Sequence, residues 1–157
     1  MRKGEPIQGI AFFELLSRDA KFCEELGRAV LAGSRLETEL KRYLTVNGVS
    51  RDTKRATLGQ LISLAKEHEL LTRALPAFET LKMQRNYLAH NVHALFAVLI
   101  EETILPRTDL LDSDVDMFTE RAWQLAENLN GLADALVSMV AKAPNSNSSR
   151  PPSAAAE

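Results

Sequence analysis

A chain of 157 residues, 45% hydrophobic and 25% charged, has the size and balance of one soluble domain that builds its core without metals or disulfides. Its net charge of −2 excludes a protein that coats nucleic acid nonspecifically, because such proteins carry a broad cationic surface. The single cysteine, Cys23, has no partner for an internal disulfide and reads as a small packed hydrophobe rather than a nucleophile. With no signal-peptide pattern and no apolar run long enough to span a bilayer, the expected address is the cytoplasm and no membrane partner is expected.

Ile10 to Leu16 reads as a short helix that lays Phe12, Phe13 and Leu16 over the core, with a swapped arm reaching a partner as the alternative. The first long helix is expected from near Ser17, which caps it, with Asp19 complementing its positive end. Phe22, Leu26, Ala29, Gly33, Leu36, Leu40 and Tyr43 then recur at steps of three and four and form one amphipathic seam. Asn47-Gly48 signals a turn, and Thr57-Leu58-Gly59-Gln60 has the spacing of a capping box, starting a shorter helix that buries Leu58, Leu61, Ile62 and Ala65. His68 suits the C-terminal end of that helix.

A further helix is expected from about Thr72, with Pro76 in its first turn. The run Leu95 to Ile100 fits either a continuation of this helix or a short extended segment, and Pro106 ends either. Ser113 and Asp116 have capping-box spacing and open the last helix, whose seam is Val115, Phe118, Ala122, Leu125, Leu129, Leu132, Leu136 and Met139. The Pro-, Ser- and Asn-rich residues 143–157 have too little apolar area to offset ordering entropy and read as a disordered tail. Two long seams, two helices between them and no strand pattern of any length point to an all-α domain over residues 1–142, an antiparallel four-helix bundle.

The chemistry concentrates in Arg85-Asn86-Tyr87-Leu88-Ala89-His90. On a 3.6-residue period Ala77, Phe78, Leu81, Leu88, Ala89, Val92 and Leu95 share an apolar arc, and Arg85 falls inside it. Glu79, Lys82, Asn86, His90 and His93 form a polar ridge whose second half is Asn and His rather than Lys and Glu. Two readings stand on spacing alone: Arg85 pairs inside a helical bundle and the histidines are incidental, or these groups make a site.

This segment resembles the signature of the HEPN superfamily of small all-helical domains: an arginine, a polar residue that is often Asn, three further residues and a histidine near the end of a helix in the second half of the bundle. Phe78 to Gln84 supplies an amphipathic lead-in similar to the family's, and the likeness covers roughly residues 20–140. The resemblance implies an endoribonuclease, a toxin or defence effector, working as a homodimer whose paired motifs face each other across a cleft. Five residues apart on a regular helix, Arg85 and His90 point about 140° apart and lie about 7.5 Å apart along the axis. One helix does not aim both at one phosphate, so either the helix unwinds at the motif or a second copy completes the site.

Cleaving RNA without a metal or cofactor needs a base for the ribose 2′-hydroxyl, an acid for the leaving oxygen and a cation for the phosphate. Histidine, with an ordinary pKa of about 6.5, suits both proton transfers, and a guanidinium binds two phosphate oxygens at once. Arg85 and His90 are the catalytic candidates, with Asn86 orienting the imidazole or binding phosphate and His93 in support. Tyr87 fits surface packing or base stacking. The resemblance implies products with a 2′,3′-cyclic phosphate and a 5′-hydroxyl. Some toxins of the family carry a tyrosine, two residues after the histidine, that a partner nucleotidyltransferase modifies; Val92 stands there in this chain.

His90 and His93 have the spacing of two metal ligands, but no carboxylate on the same helix completes a set without recruiting Glu79 or the last helix, and no metal site is expected. Residues 35–55 hold six basic residues against three acidic, which either guide RNA or merely make a solvated cationic loop. Residues 101–120 hold seven acidic against one basic and suit a basic antitoxin. The other class of function is a non-catalytic helical binding module, a regulator or a nucleotidyltransferase partner.

Overall fold

The computed structural model describes residues 3–90 and 109–142, with side chains given up to Arg85 in the first of these stretches. The expected segment Leu95 to Ile100, His93 and the tail from 143 lie outside the described residues. In chain order the elements are β1 (Pro6–Ile7), α1 (Gly9–Arg18), α2 (Ala20–Val46), α3 (Leu58–Glu67), α4 (Leu75–His90), β2 (Leu110–Leu111) and α5 (Asp114–Lys142). The described chain is therefore mostly helical, with one two-stranded sheet too short for any sequence pattern to announce. No helix among the described residues is long and apolar enough to cross a membrane.

The sheet joins the starts of the two described stretches. β1 and β2 pair antiparallel, Pro6 opposite Leu111 and Ile7 opposite Leu110. Asp112 then fastens the segment before β1: its carboxylate accepts the amides of Gly4 at 2.7 Å, Glu5 at 3.0 Å and Lys3 at 3.2 Å. Gly4 curls around that carboxylate at φ +75°, a conformation other residues adopt only with strain. Desolvation raises the Asp112 pKa, but the amides of Lys3, Glu5, Gly4 and Ser113 lower it by more, so it sits below the ordinary 3.8.

Because β1 leads into α1 and α2 while β2 leads into α5, both long helices start from the same end. They lie side by side and run the same way: Lys21 and Glu25 share a groove with Asp116, Thr119 and Trp123, and farther along Arg35 reaches Asn130 at 3.1 Å and Asp134 at 2.5 Å. An antiparallel bundle opposes its first and last helices, so for this pair the expected direction is corrected. The reason is the pairing of β1 with β2, which sets the start of α5 beside the strand that leads into α1 and α2.

The helix ends follow local chemistry. Asp19, extended at φ −78° and ψ 110°, closes α1 and caps α2, accepting the Phe22 amide at 2.7 Å. Ser17, expected as that cap, lies inside α1 and donates to the Glu14 carbonyl at 2.8 Å. A carboxylate at the break both accepts the free amide and meets the positive helix end, which a hydroxyl does less well. After α2, Gly48 at φ +82° lets the Gly48 and Val49 amides reach back to the Thr45 and Leu44 carbonyls, and Val49 is buried against the core. α3 ends likewise, with the Leu70 amide on the Ala65 carbonyl, but here Glu69 takes the left-handed position at φ 53°. The capping box of Thr57 and Gln60 forms as expected, and His68 is the residue that closes α3. α4 begins at Leu75 rather than Thr72; Leu71, left-handed at φ 57°, accepts the Ala74 and Leu75 amides in the turn that precedes it.

The core is the seam surface of α2 and α5 closed by α1, α3 and α4. Phe12, Leu36, Leu40, Leu61, Phe78, Phe118 and Leu129 are all buried, and the Phe12 and Phe118 rings meet edge to face at 5.1 Å. Some seam residues are displaced from expectation by the 100° step of the helix. Phe13 is 51% exposed and Cys23, next to buried Phe22, is exposed; Met139, on the last turn of α5, is 43% exposed.

Candidate functional site

α4 carries the motif; Phe78 and Leu81 are buried, and Arg85, four residues on, continues their stripe half-buried. Ala77, expected on this stripe, is exposed. At the third place the helix presents a guanidinium where an aliphatic side chain would continue the core. The neighbouring α2 is shaped to take it. Gly33 lies directly beneath the Arg85 stem: a Cβ there would stand 3.4 Å from Arg85 Cγ and 3.6 Å from Nε. One turn further along α2, the Glu37 carboxylate accepts the guanidinium at 2.9 Å. The Arg85 side chain remains 35% exposed and that of Glu37 20%, so the pair sits at the edge of the core with one face towards solvent.

A parallel contact lies one turn earlier on α4. Lys82 sends its stem across Gly59 in the first turn of α3, where a Cβ would meet Lys82 Cδ at 3.4 Å, and its ammonium pairs with Glu79. α4 therefore extends two long cations over two glycines, one on α3 and one on α2. On the side facing α5, Gln84 borders a polar niche of about 200 Å³ with Arg121, Gln124 and Asn128.

The helix runs unbroken from Leu75 to His90, so the motif is not unwound. Positions 85 and 90 are separated by about 7.5 Å along the axis and about 140° around it. Of the expected site residues, Arg85 is brought to Glu37 and Gly33. Asn86, Tyr87 and His90 lie on the α4 backbone, with side chains outside the described residues, as is the whole of His93. No group of three metal-ligating side chains occurs among the described residues.

Sequence reasoning missed Glu37 and the clasp it makes. The signal that could have found it is Gly33 itself, since a glycine inside a long helix costs about 1 kcal/mol and usually marks a close approach. Arg85 in an apolar arc needed a partner carboxylate within reach, and Glu37 lies one turn from that glycine. Comparison with known proteins found no matching family, no matching curated protein and no matching solved structure.

Proposed function

We propose that this chain is a metal-independent endoribonuclease of the HEPN type, a toxin or defence effector whose site is completed by a second copy of the chain. The observation that carries this reading is the clasp on Arg85: Gly33 and Glu37 hold a guanidinium at the core edge while leaving a third of it open. A guanidinium so placed is pre-oriented for phosphate oxygens, which saves the ordering entropy of a long side chain. With positions 85 and 90 on one regular helix, a single chain spreads the two groups apart, and a two-fold axis beside the end of α4 brings two copies of each to one cleft.

In this reading one His90 takes the proton from the ribose 2′-hydroxyl, and the 2′-oxygen attacks the adjacent phosphorus. The second His90 protonates the departing 5′-oxygen, leaving a 2′,3′-cyclic phosphate and a 5′-hydroxyl. Arg85 neutralises the pentacoordinate phosphate, Asn86 orients the imidazole, and Tyr87 and His93 support the strand. The protein works in the cytoplasm and is restrained by a basic antitoxin on the acidic stretch around 101–120 or by a nucleotidyltransferase.

One observation favours the second reading, a non-catalytic helical module in a bundle: the Glu37 pair by itself explains a buried-edge arginine as structure. Incubation with RNA and a chelator separates the two. The enzyme cuts under those conditions, and Arg85→Ala and His90→Ala each abolish cutting while the dimer survives. An inert wild type supports the binding module, and cutting that requires a divalent ion defeats the metal-independent mechanism.

A further inference from the structure

We infer that the groove between the 51–57 loop, α3 and α4 is a track for the phosphate backbone of single-stranded RNA. The groove encloses about 710 Å³, within the range of about 300–1,000 Å³ typical of ligand sites. Arg51 and Arg55 line it from the loop and Lys82 from α4, facing the carboxylates of Asp52 and Glu67. Asp52 is engaged locally, accepting the Lys54 amide at 3.0 Å and so holding the loop in its turn. Arg51 and Arg55 make no ion pair or hydrogen bond among the described residues. Two guanidiniums that line one groove and have no carboxylate partner among the described residues are a local exception in a protein of net charge −2.

The chemistry of the walls selects the partner. A protein partner needs an apolar anchor pocket, and none of the exposed large apolar residues among the described ones, such as Phe13, Leu31 or Trp123, borders this groove. Its walls instead offer the Arg51 and Arg55 guanidiniums and the Gln60 side-chain NH2, whose carboxamide oxygen is taken by the Thr57 amide; these donors recognise phosphate oxygens. Lys82 links the groove to the motif. Its stem is fixed across Gly59, and it stands three residues before Arg85 on α4, so a strand lying in the groove runs on along α4 towards Arg85. The inference rests on the ribonuclease reading only for the strand being RNA.

The test measures affinity for a single-stranded 2′-O-methyl oligonucleotide, which binds without offering a 2′-hydroxyl for attack, between 50 and 200 mM salt. Each phosphate contact on a single strand contributes about 0.7 to the slope of log affinity against log salt, so Arg51→Gln with Arg55→Gln lowers the slope by about 1.4. Across that range the wild type then loses about sevenfold more affinity than the variant. Arg18→Gln with Arg73→Gln, equal in charge but outside the groove, leaves the slope unchanged. An unchanged slope in the groove variant, an equal loss in both variants, absent binding, or tighter binding of polyglutamate each overturns the track. RNA cutting by the wild type is measured alongside. Cutting with an unchanged slope removes the track alone, whereas a lowered slope without cutting keeps the track and removes the nuclease.

Discussion

Replacing Glu37 by Gln tests whether Arg85 is held for a task or is merely part of the frame. The bond measures 2.9 Å, and the two side chains are 35% and 20% exposed. A shielded charge-assisted hydrogen bond is worth about 1.5–3 kcal/mol and a fully exposed ion pair about 0–1, so this half-covered pair is expected near 1 kcal/mol. For a chain of this size that shifts Tm by about 2–4 °C. A double-mutant cycle of Glu37→Gln and Arg85→Gln, followed by circular dichroism in urea, reads the coupling directly, and additivity within about 0.3 kcal/mol refutes the pair. Cleavage adds the functional arm. If Arg85 binds phosphate, Arg85→Gln lowers turnover by about 10² or more, while Glu37→Gln, which keeps the guanidinium, costs far less. Equal losses in the two variants refute a phosphate role and leave a structural clasp.

Gly33→Ala is expected to be neutral or to raise Tm, since about 1 kcal/mol of helix propensity is gained against a new contact with a flexible arginine stem 3.4 Å away. Gly33→Leu has no such room, and it is expected to fold but lose the Arg85 coupling to Glu37; retained coupling contradicts the close approach. Glu69→Gly relieves a left-handed backbone at φ 53° and is expected to stabilise by about 1 kcal/mol in denaturant unfolding, whereas destabilisation means the position is unstrained. Asp112, with its folded pKa below 3.8, holds the segment before β1 fully above that value and releases it as pH falls through the folded pKa. The Gly4 and Glu5 amide resonances are therefore expected to titrate with a midpoint below 3.8, and a midpoint above it contradicts the hydrogen-bonded carboxylate.

The helices were legible because burial leaves a periodic trace. The Thr57 capping box, the Asn47-Gly48 turn and the seams through Leu36, Leu40, Phe118 and Leu129 all stand where the spacing puts them. What local pattern does not carry is direction. The shared orientation of α2 and α5 comes from a two-residue strand pair more than a hundred residues apart in the chain, a contact that two residues per strand do not encode as alternation. The Asp19 cap was misassigned to Ser17 because both residue types cap helices, and only the extended backbone at 19 decides between them. At the site, Arg85 stood out as a charge in an apolar arc, but its partner Glu37 lies on another helix and is invisible to periodicity within either.

Poisoning by an inactive partner tests the shared site most directly. Wild-type chains are mixed with a ninefold excess of His90→Ala chains, subunits are exchanged, and RNA cleavage is measured per wild-type chain in the presence of chelator. If two copies complete one site, only about a tenth of wild-type chains retain a wild-type partner and cleavage per chain falls about tenfold. Cleavage per wild-type chain that does not change with the excess contradicts a site built across two copies.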